Sequence, residues 1–369
     1  MSNIKIQMVD LKNQYLKIKE EIDTAIQGVI DSTQFIQGQI VKEFENNAAK
    51  YLDCKFAIGC ASGTDALQIA MMALNIKPGD EIITTPFTFV ATAETIALLG
   101  AIPVYVDIDE KSFNIDVDKI ESKITYKTKA IIPVHLYGQP CEMDALMALA
   151  IKHNLKVIED SAQAFGATYK GKKVCSIGDI GCVSFFPSKN LGGFGDGGML
   201  TTNDEALADK IRVIINHGSR KRYYHEILGV NSRLDSLQAA ILNVKLKYIE
   251  DYHYARITAA NKYNKLLSNY VNIPFVLPYV KHIFHQYSIR VKNRDKLVEF
   301  LKENNIPAMI YYPVPLHLQE AYKNNYYLGD YPVTENISKD IMSLPMHTEL
   351  NDEQIAYITG KIIEFYKTV

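Results

Sequence analysis

Between about residues 55 and 205, the short β-rich runs EIITTPF, IPVYVDI, AIIPVHLY, LKVIEDS, GCVSFF and GGMLTT alternate with helical stretches. This rhythm restricts the fold more than any other feature. It predicts an α/β architecture, a largely parallel central sheet covered by helices. In such sheets ligands bind beyond the carboxyl ends of strands, and Phe89, His135, Asp160, Ser184 and Lys189 stand at or just after such ends, so they are expected to converge on one crevice. From Leu234 to Leu267 apolar residues recur every three or four positions, which predicts one long amphipathic helix linking two domains. Beyond it HQYSIRVKN reads as a strand, RDKLVEFLKENN as a helix ending before Pro307, and NDEQIAYITGKIIEFYK as a terminal helix from near Asp352. The expected division is a large domain over 1–250, including an N-terminal helical segment, and a smaller C-terminal α+β domain over 251–369.

A chain of 369 residues, 47% hydrophobic, has enough apolar side chains for one large core and a smaller one. Its 40 basic and 42 acidic residues leave no electrostatic footprint for nucleic acid or an anionic membrane. Cys54, Cys60, Cys141, Cys175 and Cys182 are scattered without a CxxC pair, which argues against a zinc site and predicts reduced, mostly buried thiols. The N-terminal segment lacks the apolar core of a signal peptide, and no stretch approaches the roughly twenty apolar residues of a membrane helix. A cytoplasmic address is the expectation.

Two segments carry the chemistry. Lys189 stands in SFFPSKNLGGFGDGGML, downstream of Asp160 in VIEDSAQAFGA. Pyridoxal 5'-phosphate (PLP) requires an amine to form a Schiff base and a carboxylate to keep the pyridine nitrogen protonated, and both residue types are offered here at strand ends. Taken singly, Lys189 is also compatible with a solvated loop and Asp160 with a helix cap. In CASGTDALQIAMMAL a small-residue turn opens a helix at about Thr64, where free N–H groups and the helix dipole suit a phosphate. The competing reading is that Ser62 or Thr64 merely caps a buried helix. Ser184 offers a hydroxyl to the same phosphate. Gly193, Gly195 and Gly198 spell GxGxxG, but the run follows the lysine and leads into the strand-like GGMLTT, so the strand-then-helix context of a dinucleotide fingerprint is missing.

Together, GTDAL, TPFTFVATAETI, VIEDSAQAFGA, SFFPSKNLGG and NSRLDSLQAAIL resemble the DegT/StrS-type sugar-nucleotide aminotransferases over nearly the whole chain. The resemblance implies a PLP-dependent transferase of fold type I, working as a homodimer with shared active sites. It makes Lys189 the Schiff-base lysine and proton shuttle and Asp160 the partner of the pyridine nitrogen. Gln163 would meet the cofactor's phenolic oxygen, Gly63, Thr64 and Ser184 the phosphate, and Phe89 the ring face, although without the resemblance Phe89 reads as a core aromatic. Asn231 would reach in from the other subunit. IYYPVPLHLQEAY resembles the sugar-facing loop of relatives that aminate C3, placing Tyr311, Tyr312 and His317 near the substrate; a loop packed for structure is the alternative. Uronate-specific relatives often carry histidine where Tyr311 stands, which points to an uncharged 6-deoxy sugar, with dTDP as nucleotide and glutamate as amino donor. Amination at C4, a UDP-sugar, an amino-acid lyase and a non-catalytic regulatory homologue are the competing readings.

Overall fold

The computed structural model describes residues 5–322 and 326–368. Its central feature is a seven-stranded sheet built from β1 (Phe56–Cys60), β2 (Glu81–Thr84), β3 (Ile102–Tyr105), β4 (Thr128–Ile131), β5 (Lys156–Asp160), β6 (Ile180–Ser184) and β7 (Gly198–Thr202). The spatial order is β1-β7-β6-β5-β4-β2-β3. β7 runs antiparallel to both of its neighbours, while the pairs from β6 across to β3 are parallel. The reversal has a local cause: residues 185–197 form a glycine-rich loop with no helix, whereas a parallel return is usually carried by a crossover helix. β1 is absent from the run of strand-like segments read from the sequence, because FAIGC is short and built partly of small residues; its burial and pairing with β7 make it a strand.

Helices cover both faces, so adjacent strand residues are buried against different layers. Leu200 packs with Leu67, Ile69 and Ile211 from the helices Gly63–Ala73 and Glu205–Ile214. Its neighbour Met199 packs with Phe44, Ala48 and Leu242 from Gln39–Leu52 and Ser236–Leu246. This two-sided burial explains why the central strands read as nearly continuous apolar runs.

The expected single helix over 234–267 is two helices, Ser236–Leu246 and Ile249–Leu267. The break lies where Lys247 and Tyr248 donate their N–H groups to Val244 and Lys245, tightening the last turn, and Glu250 and Asp251 then favour a new N-terminus. The second helix packs into a separate apolar cluster with β8 (Tyr287–Arg290), β9 (Ile341–Leu344) and the terminal helix Asp352–Thr368. Tyr263, Leu267, Tyr287, Leu344 and Ile358 form its centre, and Ile6 from the start of the chain joins it. Among the described residues no helix is long and apolar enough to cross a membrane.

Candidate active site

Asp160 is the last residue of β5 and is 5% exposed. One carboxylate oxygen accepts from the Thr92 hydroxyl at 2.8 Å and the other from the Ala162 N–H at 3.2 Å. Burial pushes its pKa up, while Thr92, Ala162 and the nearby Lys189 charge hold it down. Among the described residues it has no ion-pair partner. Glu159 points to the opposite side of the strand, and its fully buried carboxylate is saturated by the N–H groups of Cys175 (3.0 Å), Ile177 (2.8 Å) and Gly178 (2.8 Å) and by His135 Nε2 (3.0 Å). His135 Nδ1 accepts from the Cys141 N–H at 3.0 Å, so Nε2 carries the proton. His135 therefore braces β5 instead of joining Asp160, contrary to the strand-end expectation; the period-two alternation of the strand decides this.

Lys189 sits on the turn after β6, with its N–H donating to Phe186 O at 2.8 Å. Its Nζ makes no hydrogen bond or ion pair among the described residues. Burial lowers its pKa to about 8, against the opposing pull of Asp160. Three residues after Asp160, Gln163 accepts from the Tyr137 N–H at 2.7 Å and donates from Nε2 to the Tyr312 hydroxyl at 3.0 Å. Tyr137 in turn donates its hydroxyl to the carbonyl of Tyr311, and Tyr312 meets Phe87 edge-on at 6.1 Å. The late tyrosine loop is thus brought against the Asp160 side of the crevice. His317 is not: it is fully buried, its Nε2 lies 3.0 Å from Glu335, and its ring packs on Tyr331 at 4.7 Å.

At the other end, the helix Gly63–Ala73 begins immediately beyond β1. Ser62 is its N-cap, accepting from the Asp65 N–H at 3.0 Å, so the capping alternative holds for Ser62 and not for Thr64. The N–H groups of Gly63 and Thr64 have no acceptor within the helix. A Cβ on Gly63 would lie 2.6 Å from the Cβ of Ser184, and one on Gly198 would lie 2.2 Å from the carbonyl oxygen of Ser62. Glycine at both positions lets the ends of β6 and β7 touch the start of the helix. The Ser184 hydroxyl accepts from the Phe186 N–H at 3.3 Å. Phe89 is 56% exposed, which removes its reading as a core aromatic. Asn231 is exposed and lines an open groove of about 510 Å³ with Ala61, Gly195, Asp196 and Arg233. Sequence reasoning missed Thr92, which lies inside the quoted segment TPFTFVATAETI, and Tyr137, whose role depends on contacts far along the chain.

A buried carboxylate without a countercharge, a desolvated amine without a partner and an open helix N-terminus match the pyridine nitrogen, aldehyde and phosphate of PLP. On a mostly parallel sheet, they define a PLP-dependent enzyme of fold type I. The chain belongs to the DegT/DnrJ/EryC1/StrS aminotransferase family, whose model matches residues 16–363. It is similar to a protein named Pleiotropic regulatory protein from Geobacillus stearothermophilus, with 50% identity over 98% of this chain and 99% of the relative. It is likewise similar to UDP-2-acetamido-2-deoxy-3-oxo-D-glucuronate aminotransferase from Pseudomonas aeruginosa, at 48% identity over 97% and 99% of the two chains. dTDP-3-amino-3,6-dideoxy-alpha-D-galactopyranose transaminase from Aneurinibacillus thermoaerophilus matches at 43% over 97% and 98%. The crystal structure of ntda from Bacillus subtilis with bound cofactor PMP superimposes with a TM-score of 0.92 at 30% identity, covering 100% of this chain and 87% of that one. The chain is accordingly a PLP-dependent aminotransferase of the sugar-nucleotide type.

Proposed function

We propose that the acceptor is a dTDP-linked 3-keto-6-deoxyhexose, converted to its 3-amino sugar with L-glutamate as donor, in the cytoplasm and toward a surface glycan. The observation that carries the sugar assignment is the uncharged wall of the crevice, where Tyr312 meets Gln163 and Tyr311 lies beside Gln286 and Tyr137. These groups hydrogen-bond without supplying a cation, which suits a C6 methyl better than a carboxylate whose burial would need pairing. The dTDP-sugar relative supports the same reading. The relative named for a UDP-linked 3-oxo-glucuronate favours a second one, a UDP-sugar acceptor. A panel of dTDP- and UDP-linked 3- and 4-keto sugars, each incubated with glutamate, separates them by the mass and position of the new amine. Faster conversion of a UDP-uronate than of any dTDP-6-deoxy sugar would overturn the assignment, and conversion of none would favour a regulatory protein.

PLP, when bound, supplies the electron sink for the carbanion formed at the donor's Cα. The chain's residues do the rest in this reading. Lys189 Nζ would anchor the cofactor and, once the donor's amine has displaced it and left it free, would be the base placed to move the proton from the donor's Cα. Asp160, oriented by Thr92 and the Ala162 N–H, keeps a proton on the pyridine nitrogen, and Gln163 meets the phenolic oxygen. Gly63, Thr64 and Ser184 receive the phosphate, joined by Asn231 from the second subunit of a homodimer, while Phe89 covers the ring. Tyr311 and Tyr312 face the sugar; His317 steadies their loop from behind through Glu335. Two domains divide near residue 250.

A further inference from the structure

The segment His282–Gln286, just before β8, crosses the back of the crevice as a strap. Its Ile283 N–H donates to Gly138 O at 3.1 Å and its Gln286 N–H to Tyr137 O at 3.4 Å, so it is tied to the same loop that holds Gln163. From behind, the buried Arg256 guanidinium donates to Phe284 O at 3.3 Å, His285 O at 3.2 Å and Met346 O at 3.0 Å. The strap also meets Asn190, the residue that follows Lys189. Asn190 is buried and donates from Nδ2 to Ile283 O at 3.2 Å. Because a carbonyl only accepts, this bond fixes the orientation of the amide and leaves Oδ1 as the acceptor facing His285 Nδ1 at 3.2 Å. His285 must then carry its proton on Nδ1. It stays neutral there, since burial and the charges of Lys189 and Arg256 drive its pKa well below the usual histidine range.

We propose that His285 is a positioning residue for Lys189, acting through Asn190. The Nδ1–H and the Ile283 carbonyl clamp both ends of the Asn190 amide, which holds the turn from which Lys189 projects. Among the described residues the lysine amine has no hydrogen-bonding partner to orient it, so the backbone beneath it must do so. An imidazole at this point also gives a donor that carries no charge, where a lysine or arginine would add a cation beside the amine that must lose its proton.

The test uses the holoenzyme, stripped of PLP and refilled, with the rate of capture followed by the visible absorbance of the bound cofactor. His285→Leu, which removes one buried hydrogen bond, should slow capture about tenfold, and Asn190→Leu, which removes that bond and the one to the Ile283 carbonyl, at least as much. The double variant should be no slower than the slower single one, and His285→Asn, which places an amide N–H near the Nδ1 position, should recover to within about twofold. Capture at the parental rate by His285→Leu, multiplication of the two effects in the double variant, or failure of His285→Asn to recover overturns the proposal. If His285→Leu does not fold, His285→Gln takes its place, since its longer side chain mimics Nε2 and should stay slow where His285→Asn is fast. The inference rests on Lys189 as the amine that holds PLP. Borohydride reduction and peptide mapping of the parent protein test that separately: label on another lysine overturns the reading of Lys189, a failure distinct from unchanged rates in the variants.

Discussion

The carboxylate end of the crevice and its phosphate end differ in how completely one chain satisfies its own groups. At the carboxylate end Asp160 is held by Thr92 and Ala162, Gln163 is engaged on both sides, and Glu159 behind it accepts four hydrogen bonds. Among the described residues Asp160 lacks a countercharge there, and the buried Ser161 hydroxyl and Gln286 Oε1 lack a hydrogen-bond partner. At the phosphate end the first N–H groups of the helix Gly63–Ala73 are open, Phe89 and Phe186 are exposed, and Asn231 borders a groove. In the proposed reading the enclosed carboxylate would tune the ring nitrogen, and the open end would take phosphate, sugar nucleotide and a second subunit. In that reading chemistry is set within one chain and binding is completed from outside it.

The strongest way to break this contrast is at Lys189. Lys189→Ala should lower turnover by about 10⁴-fold or more, because a proton-transfer group and the covalent anchor are lost together; steady-state kinetics retaining a tenth of parental activity would remove it from the chemistry. Asp160→Asn keeps the size and the Thr92 contact but loses the charge, and should cost about 10²-fold in kcat. Equal turnover would mean that the enclosed end does not tune the ring. Because burial lowers the Lys189 pKa to about 8, the neutral amine is scarce below that pH. The rate of PLP capture should therefore rise about fiftyfold between pH 6 and pH 8 and then level off; a flat profile in stopped-flow absorbance would contradict it. Mixing Lys189→Ala with Asn231→Ala chains sharpens the other end. Shared sites predict recovery of about a quarter of parental activity, one intact site in the half of dimers that are mixed, and no recovery would mean self-contained sites. The smallest effect is expected at the open ring face, where Phe89→Ala should weaken PLP binding about fivefold in an equilibrium titration.

Much of the candidate site was legible because its residues occupy positions that local pattern marks: ends of apolar runs for Asp160 and Ser184, and a small-residue turn before a helix for Gly63 and Thr64. Less was legible where contacts join distant segments. His135 looks like a crevice residue from its place after a strand, yet the alternation of β5 turns it to Glu159. His317 looks like a companion of Tyr311 and Tyr312, yet it is buried against Glu335 and Tyr331. Thr92 and Asn190 carry no local signal at all, since a threonine in a helix and an asparagine in a loop are ordinary.

By itself the sequence determined the alternation of strands and helices, the candidate amine and carboxylate, and the glycines that permit close backbone approach, because these depend on residue type and short-range period. Only the tertiary structure decided that β7 runs backward, that one expected helix is two, and which side chains meet Asp160, Gln163 and Asn190. Those outcomes depend on how the loops turn and on contacts between segments 26 to 149 residues apart, which no local period encodes.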